Sequence, residues 1–242
     1  MIRLHSVESL GTYDGPGVRM VLFTQGCNFK CLYCANPDTI DKTGESRLYE
    51  YEEIMTLARS QRPFFGKLGG ITISGGEPLM QAKALIPLFK MLKEEGFNTC
   101  IDTNGSYLTA DVRELLEYTD IVLLDIKGMD DEAHKGVTGA SNRATMRMAQ
   151  YLQEIGKRVW ARYVLLPGYT DKEEYLHSLG KFLQPMDNVE KLEIQPYHRL
   201  GVHKWESLGW KYELEGVEQN TPQQLEKAKA IMDTYLDEVI VN

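Results

Sequence analysis

Four cysteines are all that this chain of 242 residues contains, and a disulfide framework built from them would need an oxidising compartment. The opening residues Met1-Ile2-Arg3-Leu4-His5-Ser6 form no apolar segment resembling a signal peptide, so a reducing, cytoplasmic setting is expected. No apolar run is long enough to span a bilayer, and no membrane partner is expected. Positive charge is not in excess either: 27 Lys plus Arg stand against 35 Asp plus Glu, a formal net charge of -8. Nucleic acid is therefore excluded as an expected partner, because nothing supplies a general attraction to phosphate backbones. Neither a Gly-x-Ser-x-Gly elbow nor a Gly-x4-Gly-Lys-Ser/Thr loop occurs, which removes two common catalytic patterns. No linker or low-complexity tract divides the chain, and with 43% hydrophobic and 26% charged residues a single soluble domain over 1–242 is expected.

What is present is concentrated in one place. Cys27-Asn28-Phe29-Lys30-Cys31-Leu32-Tyr33-Cys34 carries three thiols on one short loop and no fourth. Iron-sulfur clusters are ordinarily held by four thiolates, so three leave one iron of a 4Fe-4S cube open to a ligand that is not protein. Structural zinc is the alternative, but it usually takes four ligands in two close pairs. Cys100 lies far off in a strand-like stretch and reads as a small buried hydrophobe.

From Val18 onward, short β-branched or apolar runs alternate with longer segments of helical periodicity, the pattern of parallel βα units. Strands are predicted at 18–24, 70–74, 97–102, 121–125, 159–165 and 192–195. Helices are predicted at about 49–61, 79–95, 109–118, 142–155, 171–184 and 221–237, with Thr109 and Asp171 as N-caps. An incomplete (β/α)6 barrel suits this order; a doubly wound open sheet shares it, and periodicity alone does not separate them. In either architecture, sites gather where strands end. Cys27, Gly75-Gly76-Glu77, Thr103-Asn104-Gly105, Ile126-Lys127 and Pro196-Tyr197-His198 all follow predicted strands.

Each of these also has a plain reading. Gly75 and Gly76 let a ligand approach the backbone, or they simply make a turn. Asp102, Asp125 and Lys127 end apolar strands, where packing gains nothing from charge; they are solvated termini, or they meet a polar ligand or a cation. His198 alone would be unremarked. Arg162, inside the apolar run Val159 to Leu165, requires an acidic or carbonyl partner, and Asp14 in Asp14-Gly15-Pro16-Gly17 is one candidate.

Taken together, these segments resemble the radical S-adenosylmethionine enzymes, whose Cys-x3-Cys-x2-Cys loop is matched by Cys27, Cys31 and Cys34. More closely, they resemble the pyruvate formate-lyase activating enzymes, from Asp14-Gly15-Pro16-Gly17-Val18-Arg19 through Ser74-Gly75-Gly76-Glu77, Asp102-Thr103-Asn104-Gly105 and Leu124-Asp125-Ile126-Lys127 to Pro196-Tyr197-His198. The resemblance implies a 4Fe-4S cluster whose open iron takes the amino and carboxylate groups of S-adenosylmethionine. It implies Gly75, Gly76 and Glu77 at the methionine end, and Tyr33, Cys34 and Ala35 on the adenosyl side. Asp125, Ile126, Lys127 and His198 would complete the pocket, with Asp102 and Asp125 near a monovalent cation. Ala35 departs from the pattern, since relatives often have His there, which leaves a backbone contact. The implied partners are pyruvate formate-lyase as protein substrate, with Asp14 and Arg162 toward its peptide, and a flavodoxin- or ferredoxin-type reductant; a monomer is expected. No Cys lies between Cys34 and Gly75, which disfavours the activators that carry a ferredoxin-like insert. A radical enzyme acting on a small molecule, or an iron-sulfur electron carrier, are the rival functions.

Overall fold

Strands buried on both faces read as unbroken apolar runs, and two of the expected ones are of this kind. Gly70–Gly75 and Ile121–Asp125 are buried along all but their last residue. In the computed structural model, which describes residues 1–242, these strands belong to a chain grouped into two compact units. One comprises Met1–Asn28 with Thr39–Leu123, the other Phe29–Asp38 with Leu124–Asn242. The division falls inside the cysteine loop and again inside the strand Ile121–Asp125.

The first unit contains β1 (Ile2–Gly11), β2 (Arg19–Thr24), β3 (Arg47–Tyr49), β4 (Gly70–Gly75), β5 (Asn98–Thr103) and the start of β6 (Ile121–Asp125), in the order β3-β1-β2-β4-β5-β6. β1 runs antiparallel to β2 and β3, while β2, β4 and β5 are parallel, Thr24 standing opposite Gly75. Its helices are α1 (Tyr51–Gln61), α2 (Ala82–Glu94) and α3 (Ala110–Glu117). α2 buries Leu85, Ile86, Leu88, Phe89 and Leu92, the one-sided stripe of an amphipathic helix. Thr109 caps α3, its hydroxyl accepting the Val112 N–H at 3.3 Å.

The second unit continues from β6 through β7 (Val159–Leu165) and β8 (Val189–Pro196) to β9 (Val239–Val241), with β7, β8 and β9 parallel. Its helices are α4 (Asp131–Thr138), α5 (Arg143–Glu154), α6 (Glu173–Leu183), α7 (Val202–Ser207) and α8 (Pro222–Met232). The strands are mostly parallel in both units, the α/β arrangement that was expected.

Several expectations are corrected. Lys172, not Asp171, is the N-cap of α6, because the Asp171 carboxylate instead accepts the Gly168 N–H at 2.8 Å and closes the preceding turn. α8 stops at Met232, leaving room for β9. The strands β1, β3 and β9 and the helices α4 and α7 were not anticipated. α4 carries Gly136 and two β-branched residues, which weakens its helical pattern.

Arg19, at the start of β2, is fully buried. Its guanidinium donates to Thr72 Oγ1 at 2.6 Å, to the Pro16 carbonyl at 3.0 Å, and to the Ile71 carbonyl and Asn98 Oδ1, each at 2.9 Å. Thr72 in turn donates to the Asp14 carbonyl at 2.6 Å, so the segment Asp14–Gly17 is tied to the starts of β2, β4 and β5. Replacing Arg19 with Met orphans several buried acceptors and should cost about 3 kcal/mol in urea unfolding. Thr109→Ala, which removes one cap, should cost about 1 kcal/mol; equal losses from the two would contradict the anchoring role of Arg19.

Candidate metal and cofactor centre

In the first unit, the chain leaves β2 at Thr24, turns at Gly26 with φ +100°, and is then held by its backbone. The Gly26 N–H meets the Thr39 carbonyl at 2.8 Å and the Cys27 N–H meets the Ile40 carbonyl at 3.0 Å. Beside it β4 ends in Gly75, and Gly76 follows. A Cβ on Gly75 would stand 2.4 Å from the Thr24 nitrogen, and one on Gly76 would stand 2.2 Å from the Gly26 carbonyl oxygen. Both glycines are therefore required by the chain's own packing against the Cys27 limb, and a bulky residue at Gly76 would disturb that limb before it met any ligand. Glu77, 1% exposed, turns its carboxylate inward. Oε1 accepts from the Leu79 N–H at 2.9 Å and Thr103 Oγ1 at 2.6 Å, and Oε2 from the Asn104 N–H at 2.9 Å. Its side chain cross-links the ends of β4 and β5, while its backbone N–H donates to the Gly26 carbonyl at 2.8 Å. Asn104 then donates to Asn28 in the cysteine loop at 3.2 Å. Asp102 accepts from Ser74 Oγ at 2.7 Å.

In the second unit the other limb of the loop docks on the end of α4. Lys30 and Leu32 donate their N–H groups to the carbonyls of Thr138 and Val137, each at 2.9 Å. His134 braces that turn, with Nδ1 donating to the Ala140 carbonyl at 2.6 Å and its ring edge-on to Phe29 at 5.5 Å. The Cys34 N–H closes on the Cys31 carbonyl at 3.0 Å, and the Cys34 carbonyl accepts the Trp205 indole N–H at 3.0 Å. Leu32, Tyr33 and Cys34 pack against a buried cluster of Leu166, Tyr197, Trp205, Tyr212 and Leu214.

An ion pair completes this half. Lys127 Nζ lies 2.7 Å from Asp125 Oδ2 and 5.7 Å from the centre of the Tyr33 ring. Burial draws the Lys127 ammonium down, but Asp125 first, then Tyr33 and Cys31, more than reverse this and hold it well above its ordinary value. Burial also pushes the Cys31 thiol up to about 12, against the opposing charge of Lys127. The Tyr33 hydroxyl, shifted upward by burial, has no hydrogen-bond partner. Ile126 is fully buried, with its N–H on the Arg162 carbonyl at 2.9 Å. His198 is exposed at the end of β8, and its Nδ1 accepts the Leu200 N–H at 3.4 Å. The acidic partner of buried Arg162 is Glu193, at 2.9 Å on the register-matched position of β8, which also accepts Lys191 at 3.0 Å.

The first unit thus brings together Cys27, Gly75, Gly76, Glu77 and Asp102, and the second brings Cys31, Tyr33 and Cys34 together with Asp125 and Lys127. Ala35 lies against Gly201, where an added Cβ would come within 2.7 Å of its backbone. Sequence reasoning missed Val137, Thr138, Glu193 and Trp205. Only Glu193 left a signal, a charge inside an apolar strand that pairs with the strand of Arg162. Cys100 is fully buried in β5 as expected, and none of the cysteines forms a disulfide. No three His, Cys, Asp or Glu side chains gather about one point; a cube does not require it, because its thiolates bind separate irons.

Glu77 yields a pH prediction. Burial outweighs the donors from Thr103, Leu79 and Asn104 and raises its carboxyl from 4.5 to about 7. The folded chain then keeps a proton that the unfolded chain has lost, so stability from this group is complete below pH 4.5 and disappears as pH rises to about 7. In urea unfolding across that range the native chain should lose on the order of 3 kcal/mol relative to Glu77→Gln, which does not titrate. A constant difference between the two would refute the shift.

Known proteins bear on this arrangement. The profile of the Radical SAM superfamily matches residues 21–179. A pyruvate formate-lyase 1-activating enzyme of Escherichia coli (strain K12) is 44% identical over 236 residues, covering 96% of each chain. A pyruvate formate-lyase-activating enzyme of Staphylococcus aureus (strain USA300) is 48% identical over 222 residues, covering 89% of this chain and 88% of that protein. In fold, the chain is similar to Streptococcus suis SuiB bound to precursor peptide SuiA, with a TM-score of 0.70 at 16% identity over 92% of this chain and 48% of that one. It is also similar to a domain of a pyruvate-formate lyase-activating enzyme from Bacteroides vulgatus, with a TM-score of 0.61 at 20% identity over 72% and 99%. The chain belongs to the radical SAM superfamily and, within it, to the pyruvate formate-lyase activating enzymes.

Proposed function

We propose that Cys27, Cys31 and Cys34 are the thiolates through which this activating enzyme holds its 4Fe-4S cluster. The observation that carries this reading is that the chain commits α4 carbonyls and a tryptophan donor to holding a limb whose thiols form no disulfide. When bound, the cluster supplies one electron that splits S-adenosylmethionine into methionine and a 5'-deoxyadenosyl radical, which takes a hydrogen atom from a glycine of pyruvate formate-lyase and leaves a glycyl radical. The protein's residues orient the reactants and exclude water; none needs to act as acid or base.

Gly75, Gly76 and Glu77 are assigned to the methionine end; the Glu77 carboxylate itself is taken up by Thr103 and Asn104. Tyr33, Cys34 and Ala35 are assigned to the adenosyl side, where the unpartnered Tyr33 hydroxyl is available to a polar ligand. Asp125, Ile126, Lys127 and His198 are assigned to the remainder of the pocket, with Asp102 and Asp125 beside a monovalent cation. Asp14 and Arg162 are assigned to the peptide side, Arg162 through the charge it shares with Glu193. A flavodoxin- or ferredoxin-type reductant, a monomer, one functional domain over 1–242 and a cytoplasmic location complete the reading. No helix is long and apolar enough to cross a membrane.

Serine in place of Cys27, Cys31 or Cys34 should abolish iron content and visible absorbance after anaerobic reconstitution, while Cys100→Ser should retain both. Loss in Cys100→Ser equal to the others would refute the three-thiolate assignment. His198→Ala, a change at an exposed residue, should leave the cluster intact and weaken S-adenosylmethionine binding several-fold in a titration; unchanged affinity would remove His198 from the pocket. With reductant, S-adenosylmethionine and pyruvate formate-lyase, the enzyme should develop the doublet electron paramagnetic resonance signal of a glycyl radical. Accumulation of 5'-deoxyadenosine without that doublet would place the hydrogen abstraction on another substrate.

A further inference from the structure

We propose that Trp205 is a positioning residue for Cys34, so that a helix far along the chain sets where the third thiolate stands. The inference rests on the reading of Cys34 as a cluster thiolate. A buried indole N–H is donor only and must find an acceptor. Trp205 is 8% exposed, and the acceptor it finds, at 3.0 Å, is the carbonyl of Cys34 itself. The Cys34 N–H is already bound to the Cys31 carbonyl at 3.0 Å. With the peptide groups on both sides of its Cα fixed, φ and ψ are set, and Sγ is left only the rotation about χ1.

The ring that supplies this bond has little freedom of its own. It stands edge-on to Trp210 at 5.9 Å and to Tyr212 at 5.6 Å, and the Tyr212 hydroxyl is paired with that of Tyr197 at 2.8 Å. The same short helix, with the glycine that precedes it, also grips the residues that follow Cys34. Gly201 lies on the Ala35 backbone at a distance no side chain would permit. Lys204 reaches Asn36 Oδ1 at 2.8 Å and Asp38 at 3.0 Å. Residues 34 to 38 are thus held from one direction by 201 to 205, and the contact on the cysteine is the directional one.

The test isolates the N–H from the ring. β-(3-Benzothienyl)alanine at position 205 of the full chain keeps the bicyclic shape and replaces the N–H by sulfur. After anaerobic reconstitution, iron release to bathophenanthroline and visible circular dichroism of the cluster are compared with the native chain, with Trp205→Phe and with Tyr212→Phe. Loss of the one hydrogen bond should speed iron release about fivefold and change the dichroism. Tyr212→Phe, which leaves the indole bond in place, should do neither. Native release and dichroism in the benzothienyl protein would overturn the proposal, and so would equal acceleration by Tyr212→Phe, which would assign the effect to packing. Full iron content in Cys34→Ser would instead strike the cluster reading, so the two failures are distinguishable.

Discussion

The cysteine loop has no helix or strand ladder of its own, so apart from the Cys34 N–H its paired amide groups find their partners in other segments. That constraint organises the surroundings of Cys27 to Cys34. On one limb the partners are Thr39 and Ile40; on the other they are the last carbonyls of α4 and the indole of Trp205. The glycines follow from it. Gly76 and Gly201 are each positions where another stretch of backbone lies against the loop or its approach, too close for a side chain. What looks in the sequence like room left for a ligand is first of all room taken by the protein.

Charge is buried by two different means around this loop. Lys127 and Asp125 neutralise each other directly, and Arg162, Glu193 and Lys191 form a chain in which one carboxylate serves two cations. Such groups are costly to desolvate and are tolerated only where partners are close and well oriented. Glu77 has no cation; three donors compensate only part of its burial, and its carboxyl titrates near neutrality instead. The end of β4 is therefore held by hydrogen bonds whose acceptor can change its protonation near neutral pH.

Most of the parallel strands were legible as short apolar runs, and β6 and β7 fall where the pattern puts them, whereas β9, three residues long, was not. β1 was not, since it alternates irregularly and exposes Glu8, Ser9 and Leu10. The cysteine loop could be singled out from spacing alone, since three thiols so close together have few uses. The residues that hold them could not. Val137 and Thr138 contribute only their carbonyls, which every residue possesses, and the role of Trp205 depends on a contact across 171 positions. Arg162 announced a missing partner but did not say which acid would fill it; the register of β7 on β8 decided for Glu193.

The span of 171 residues between Cys34 and the indole that holds its carbonyl also has a meaning in time. At ordinary elongation rates of about 5–20 residues per second, on the order of ten seconds or more separates the synthesis of the two residues. Throughout that interval the third thiol exists on a nascent chain while its seat has not yet been made. The order of synthesis is thereby written into the chain: the thiols come first, and the indole that holds the Cys34 carbonyl comes late.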